Sequence, residues 1–569
     1  MYKKRITPAL IKLVLGIIAA VLAVLFIITT VASVKAGYSA LKPALWGGML
    51  LIAAIVLLAV GSSQLVRARQ FNRMVEESGV TVKEEKRATI GDFFKKIFDG
   101  IKRFFLSIGN EFKDIITTFI NGDWKTKLSY LVMGFGCLAR GQILRGILFL
   151  LFEIVFIGYM IFQGGYWLSM LPSLGKVGQH KEWVNVGGIS VEKMLPGDNS
   201  FKILLYGVLT MFFIIAFIYT WRQNVKQNRI AEEIIRSGKK LKSGKSDLRS
   251  LVDDQFHKTL LALPLTGILI FTVMPIVFMV LVAFTGYDGA HNGIANLFHW
   301  EGLKHFQELL SWSNGSNTYS ATFGEILTWT LIWAVFATFS NYFLGMLVAM
   351  AINKKGIKLK KVWRTILVMT IAIPQFISLL YVSKMFAKNG LINLFLIDHG
   401  IIKLGQELPF WEDPTWARIT VILINIWIGI PYLMLIATGI LMNIPADLYE
   451  SAKIDGANSW QQYKKITLPY MLFITGPYLL TSFIGNMNNF NVIYLLTGGG
   501  PTNPAASTAA GNAGYTDLLI TWLYKITMGE EAKYYMASVI GIMVFVVVGI
   551  IALVVYNLLP SVKNEEDFQ

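Results

Sequence analysis

Ten apolar stretches, each about as long as the ~20 residues a helix needs to cross a bilayer, dominate this chain and leave few folds open to it. They run from about 10–33, 44–65, 143–163, 202–221, 259–284, 326–352, 365–386, 419–442, 468–496 and 535–558. A single segment can satisfy its own backbone in hydrocarbon only as a helix, so the expected fold class is all-α and polytopic, with about ten membrane helices. The 54% hydrophobic share against 15% charged residues points the same way.

Lys and Arg concentrate after the even-numbered stretches, in Arg67 to Lys127, Arg222 to Lys258 and Lys354 to Arg364. By the positive-inside rule those connections are cytoplasmic, as are the loop 443–467 and both termini. The same rule accounts for the net charge of +17 without nucleic acid. One cysteine, Cys137, excludes an internal disulfide framework, and no cysteine-histidine spacing suits a structural metal. The apolar run after Met1 to Arg5 extends to about Val34 without a small-residue cleavage site, so it is read as a retained first helix.

A change of character near residue 250 divides the chain. Residues 1–250 hold four stretches and long basic connectors, and residues 251–569 hold six more regular ones. Between Ile90 and Phe119, apolar residues recur at helical spacing (Ile90, Phe93, Phe94, Ile97, Phe98, Ile101, Phe104, Phe105, Ile108), with Lys95, Lys96, Lys102 and Arg103 on other faces. That pattern predicts an amphipathic helix lying on the inner leaflet. Residues 164–200, rich in Gly and polar residues, read as an external loop.

Sequence from Gly238 to Ser246 imitates a phosphate-cradling loop but has five residues between its glycines where four are required, and no strand precedes it. It reads as a solvated basic linker. Tyr449 to Trp460, continuing to Ile466-Thr467-Leu468-Pro469, is more specific. Pro445 can open a short helix, Gly456 can end it in the left-handed conformation, and Ser459 can cap a second helix with Gln462 in the capping-box position. A compact helix-turn-helix between two membrane spans is expected.

At these residues the chain resembles the cytoplasmic coupling loop of membrane subunits of ATP-binding-cassette importers. Ser451 stands where the family pattern has alanine. The resemblance implies that Glu450, Ala452, Asp455, Gly456 and Ala457 belong to the element that docks on an ATPase subunit. From about Leu260 onward the chain is similar to the larger permease of maltose and maltodextrin importers. The matching segments are Ile373 to Ser378, Asn425 to Tyr432, Ser482 to Phe490, Gly498 to Pro501 and Gly514 to Leu519. In that family the positions matching Ile428, Gly429, Tyr432, Ser482, Gly485, Asn486 and Asn489 line a sugar site. Gly485 and Ile371 replace aromatic residues there, which implies a wider pocket and a lean to oligosaccharides over maltose alone.

The residues themselves agree with a neutral cargo. The six C-terminal stretches as drawn are read as free of Asp, Glu, Lys, Arg and His, groups that pumps and ion-coupled carriers place along their pathways. Ser482, Asn486 and Asn489 recur at i, i+4 and i+7, as do Asn425, Gly429 and Tyr432. Asn488 and Asn491 point elsewhere. Asparagine offers a donor and an acceptor to sugar hydroxyls, and a tyrosine ring can pack on a pyranose face, with Gly429 leaving room beside it. The same polar residues also serve as interhelical glue in membranes. Pro431 and Pro477 can bend their helices.

The implied assembly has a second permease, two ATPase subunits that hold ATP and Mg, and a lipid-anchored or periplasmic sugar-binding protein. This chain would bind no cofactor or metal and catalyse nothing. Its alternatives are a permease for another oligosaccharide, such as a galacto-oligosaccharide, or an ion-coupled secondary transporter. A membrane enzyme acting on glycans is disfavoured, because the C-terminal core offers no paired carboxylates for glycosidic cleavage.

Overall fold

The computed structural model describes residues 90–558 apart from residues 188, 196, 242–245, 247–248, 251, 254, 292–296, 312–318, 355, 505, 507–510 and 529–530. The stretches at 10–33 and 44–65, the linker around Gly244 and Lys245, and both chain ends lie outside the described residues. So do the side chains of the apolar stripe from Ile90 to Ile108. The chain divides into two units, Met1–Ile120 and Asn121–Gln569. The described part of the first is helix α1, Ile90–Asn121, as its periodicity predicts. Toward its C-terminal end Phe112, Ile116, Phe119 and Ile120 are all exposed, at spacings that place them on one stripe.

The second unit is helical except for one hairpin. Helices α2 (Ile143–Met170), α3 (Ser200–Arg236) and α4 (Phe256–Val282) are each long and apolar enough to cross a membrane. The loop between α2 and α3 folds partly into two antiparallel strands, β1 (His180–Val186) and β2 (Ile189–Leu195), a local departure from the all-α expectation. Before α2, Arg140 is buried. Its guanidinium donates to Asp123 at 2.5 Å, Thr126 at 2.7 Å and, on α3, Asn228 at 2.8 Å. This network joins the α2 entry to α3.

The C-terminal half is built around α5 (Tyr319–Asn353), followed by α6 (Lys360–Ala372), α7 (Gln375–Met385) and α8 (Pro414–Leu441). After α8 come α9 (Ala446–Ile454), a short helix Ser459–Gln462, and a π turn Tyr463–Thr467 that leads into α10 (Leu468–Met487). Helices α11 (Phe490–Thr497), α12 (Leu519–Met528) and α13 (Tyr534–Leu558) complete the unit. Seven described helical spans, or eight if α6 and α7 count as one, are long enough to cross a membrane. With the first two stretches undescribed, the expectation of ten is neither reached nor contradicted.

Two stretches are less continuous than their hydropathy suggests. The seventh, 365–386, is bent by 90° between α6 and α7. Ile373 is extended there (φ −80°, ψ 127°), because Pro374 excludes its predecessor from the helical region. The ninth breaks after Met487, where Asn489 leaves the helix to cap α11: its side chain accepts the Val492 amide at 3.3 Å. Asparagine competes for backbone groups in this way, whereas Pro431 and Pro477 lie inside unbroken helices.

Contacts fix the directions of the central helices. Gly345 of α5 lies against Leu433 and Met434 of α8, and Asn341 against Gly429, so the two run parallel. Helix α10 runs antiparallel to α5: the Trp333 indole donates to the Asn486 carbonyl at 3.0 Å, and Tyr342 hydrogen-bonds to Thr475 at 2.8 Å. Trp333, Ala334, Ala337 and Met346 of α5 are fully buried between these neighbours.

Candidate functional site

Helix α8 starts from Asp413, whose carboxylate accepts the Thr415 and Trp416 amides at 2.9 and 3.0 Å, with Pro414 in the first helical position. Its stripe Asn425, Gly429, Tyr432 passes from buried to open. Asn425 is 6% exposed and Tyr432 53%. Gly429 differs from the expectation that it leaves room for a ligand. A Cβ on it would lie 2.2 Å from the Asn341 amide nitrogen, so α5 occupies that space. Ile428 is half-buried against the core around Trp329 and Trp333.

On the neighbouring helix α10, Ser482 is half-buried, one turn beyond Tyr478. One turn on, Gly485 is open, with no atom within 4 Å of where a Cβ would stand. Asn486 is tied on three sides. Its amide donates to Thr338 of α5 at 3.0 Å, its side-chain oxygen accepts from Asn489 at 3.4 Å, and its carbonyl accepts the Trp333 indole. The stripe expected on one ninth helix is therefore corrected. Ser482 and Asn486 share α10, and Asn489 reaches Asn486 from the break beyond it. Asn488 is exposed and donates to its own helix, at the Ile484 carbonyl, and Asn491 is exposed as well.

The loop 443–467 has the expected helix-turn-helix form with one shift. Gly456 (φ +77°) follows α9, its amide donating to the Lys453 carbonyl at 3.0 Å and that of Ala457 to the Ala452 carbonyl at 2.8 Å. That pair of bonds is a Schellman ending and explains the Asp-Gly-Ala order after a helix. The second helix is capped by Asn458, with Gln461 completing the capping box, one residue earlier than Ser459 and Gln462. The Schellman ending at Gly456 and Ala457 runs directly into the Asn458 cap, which starts the second helix one residue sooner. Glu450, Asp455 and Gly456 are exposed, Ala452 and Ala457 half-buried, and Ile454 and Trp460 project at 87% and 67% exposure.

The charge-free reading of the C-terminal spans is corrected twice, inside one stretch as drawn and where helices extend beyond the others. Helix α8 begins before residue 419 and includes Arg418, and α5 begins before 326 and includes Glu325. Lys384 lies in the last turn of α7, inside the seventh stretch. At 28 residues α8 is about 42 Å long, well beyond the ~30 Å of hydrocarbon, so its first turns can carry charge. Hydropathy windows trim such turns away. Thr338 and Asn341 of α5 also escaped the sequence reading, although a polar pair amid apolar residues was a visible signal.

Arg418 is buried beside the two limbs of a folded loop, residues 497–503 and 513–518. Its Nε donates to the Tyr515 carbonyl at 2.8 Å, and its guanidinium lies over the rings of Trp329 and Tyr515 at 4.8 and 5.7 Å. Asp517 organises the loop, accepting from Gly514 N at 2.7 Å, Thr521 at 2.8 Å and Lys525 at 2.6 Å. Burial pushes the Asp517 carboxyl up from its ordinary value, against the pull of Lys525 and these hydrogen bonds.

Residues 341–563 match the family described as binding-protein-dependent transport system inner membrane component. The maltodextrin transport system permease protein MalC of Streptococcus pneumoniae is 32% identical over 453 residues, covering 78% of this chain and 97% of that protein. The galactooligosaccharides transport system permease protein GanP of Bacillus subtilis is 32% identical over 429 residues, covering 70% and 98%. The maltose/maltodextrin transport system permease protein MalF of Escherichia coli is 36% identical over 235 residues, covering 41% of this chain and 44% of its own length.

Proposed function

This chain belongs to the binding-protein-dependent inner membrane components, the permeases of ATP-binding-cassette importers, and from that premise we propose that it carries a neutral oligosaccharide, malto-oligosaccharide first, through the cytoplasmic membrane by alternating access. It is a multi-pass permease and not an enzyme; hydrolysis belongs to a separate ATPase subunit. The observation that carries the cargo class is the uncharged hydrogen-bonding cluster at mid-span. Ser482, Asn486 and Asn489 lie along the chain on either side of open Gly485, and the exposed Tyr432 belongs to the neighbouring helix α8. A polyol needs donors and acceptors without net charge.

In this reading residues 251–569 are the transport core, with Ile428, Gly429, Tyr432, Ser482, Gly485, Asn486 and Asn489 on the sugar path. Residues 1–250 are accessory, and both termini and the loop 443–467 are cytoplasmic. Glu450, Ala452, Asp455, Gly456 and Ala457 meet one of two ATPase subunits, which hold ATP and Mg. A second, different permease and an external sugar-binding protein complete the assembly. The similarity to GanP supports a galacto-oligosaccharide as the second reading.

Replacing Asn489 with Leu should lower affinity for maltotriose roughly five- to a hundred-fold, the weight of one or two buried hydrogen bonds. Asn488→Ala should leave it unchanged. Uptake and sugar-stimulated ATP hydrolysis in liposomes report both. Survival of the first variant and failure of the second would move the pathway to another face.

A further inference from the structure

Asn486 and Asn489 stand where α10 breaks, and the direction of their hydrogen bonds is fixed from one end. The Val492 amide can only donate, and it donates to the Asn489 side-chain oxygen at 3.3 Å. That leaves the Asn489 side-chain nitrogen to face Asn486, whose side-chain oxygen accepts it at 3.4 Å. The Asn486 nitrogen then points the other way, donating to the Thr338 hydroxyl of α5 at 3.0 Å. Turning the Asn486 amide over would set nitrogen against nitrogen at Asn489.

Helix α5 holds Asn486 a second time. The last carbonyls of a helix lack partners within it, and that of Asn486, near the end of α10, accepts the Trp333 indole at 3.0 Å and Asn489 N at 3.2 Å. Trp333 and Thr338 are buried, whereas Asn486 and Asn489 are half-buried beside the open Gly485. Backbone and side chain of Asn486 are thus both fixed by a helix that carries none of the residues assigned to the sugar path. Among the described residues, what stays free is oriented: the second hydrogen of each amide and a lone pair of the Asn486 oxygen. A sugar would meet groups arranged before it arrives, which spares the cost of ordering them on binding.

We propose that Thr338 is a positioning residue for the sugar: by accepting the Asn486 amide it fixes which end of that side chain is offered to sugar hydroxyls, without touching the sugar itself. The inference rests on the reading that places the sugar path at Asn486 and Asn489. A buried threonine that only glues α5 to α10 would affect every sugar alike. A threonine that orients Asn486 affects most the sugars whose hydroxyls Asn486 meets, because a correctly aimed polar group rejects an analogue that lacks its partner.

The test uses the complete importer in liposomes with its own sugar-binding protein, and competes maltotriose against each of its monodeoxy analogues for uptake. Thr338→Val keeps the branched shape and removes the acceptor. Preference for maltotriose over at least one analogue should shrink about two- to tenfold, the weight of one neutral hydrogen bond. Thr338→Ser keeps the hydroxyl and should keep the preference. In an Asn486→Ala background, Thr338→Val should change the preference no further. A purely structural role lowers uptake of both sugars together and leaves every ratio unmoved, which overturns the proposal. So does a serine variant that loses as much preference as valine, or a further loss in the Asn486→Ala background. If the valine variant does not assemble, Thr338→Ala replaces it under the same criteria. Should Asn486→Ala by itself leave every ratio unchanged, the placement of the sugar path at Asn486 fails, and the proposal falls with it.

Discussion

The two ends of the α5–α8 pair are finished in opposite ways. At the Arg418 end the chain closes over itself: Trp329 donates to the Thr516 carbonyl at 3.1 Å, Leu519 N to Thr330 at 3.2 Å, and Asp517 is fully buried. At the other end a single residue, Asn353, joins three helices. Its carbonyl accepts Lys360 at 3.0 Å, its side-chain oxygen accepts Arg364, and its amide donates to Thr438 of α8 at 3.3 Å. Just past that joint the loop 443–467 leaves Ile454 and Trp460 in the open. Exposed apolar groups on a capped turn are the kind of surface that another protein can cover. One end is closed by the chain's own loop, and the other leaves apolar groups open where the proposed function puts an ATPase subunit.

The largest effect is expected where the open end depends on one backbone conformation. Gly456→Val forces a β-branched residue into the left-handed region, at a cost of about 1–2 kcal/mol, and disturbs the Schellman ending that aims Ile454. Sugar uptake should fall about tenfold or more while ATP hydrolysis persists. Gly456→Asn, which tolerates that region, should retain most uptake. Full uptake by the valine variant would show that the turn does not transmit force.

Much of this contrast could be read from sequence at one end and not at the other. The turn at Gly456 was legible because proline, glycine and capping residues carry local conformational signals, and only the cap was displaced by one residue. The apolar spans were legible for a similar reason, since each reports on its own solvent. Arg418 and Tyr515 stand 97 residues apart, and what unites them is tertiary contact with a loop. Asn489 failed as a helical-stripe residue because its side chain caps the next helix, a competition that periodicity does not record. Gly429 was expected to make room for a ligand, and only the structure shows Asn341 already there.

A smaller effect should follow from loosening the joint behind the open end. Asn353→Ala removes the acceptor from Arg364, whose Nε already has no partner, and the donor to Thr438. Sugar transported per ATP hydrolysed should fall about two- to tenfold. Asn353→Asp keeps an acceptor for Arg364 and should preserve the ratio better than alanine. Equal ratios in all three proteins would mean that the joint holds the helices together without linking the loop to them.

The smallest change sharpens the comparison midway between the ends, where the pair meets α10. Gly485 has open space around it, so Gly485→Leu should assemble normally, within the ~0.5 kcal/mol typical of substitutions that disturb no contact. Its added side chain would stand beside Asn486 in that open space, reducing the width available to a sugar chain. Uptake of a long malto-oligosaccharide relative to maltotriose should drop a few-fold, roughly two to five, since one aliphatic group in a pocket discriminates only modestly. Competition between the two sugars in one liposome assay reads the ratio directly and cancels differences in assembly. If the ratio holds while Asn489→Leu still weakens uptake, the sugar passes Asn489 without passing the open face of α10. The space at Gly485 would then belong to lipid or to the second permease.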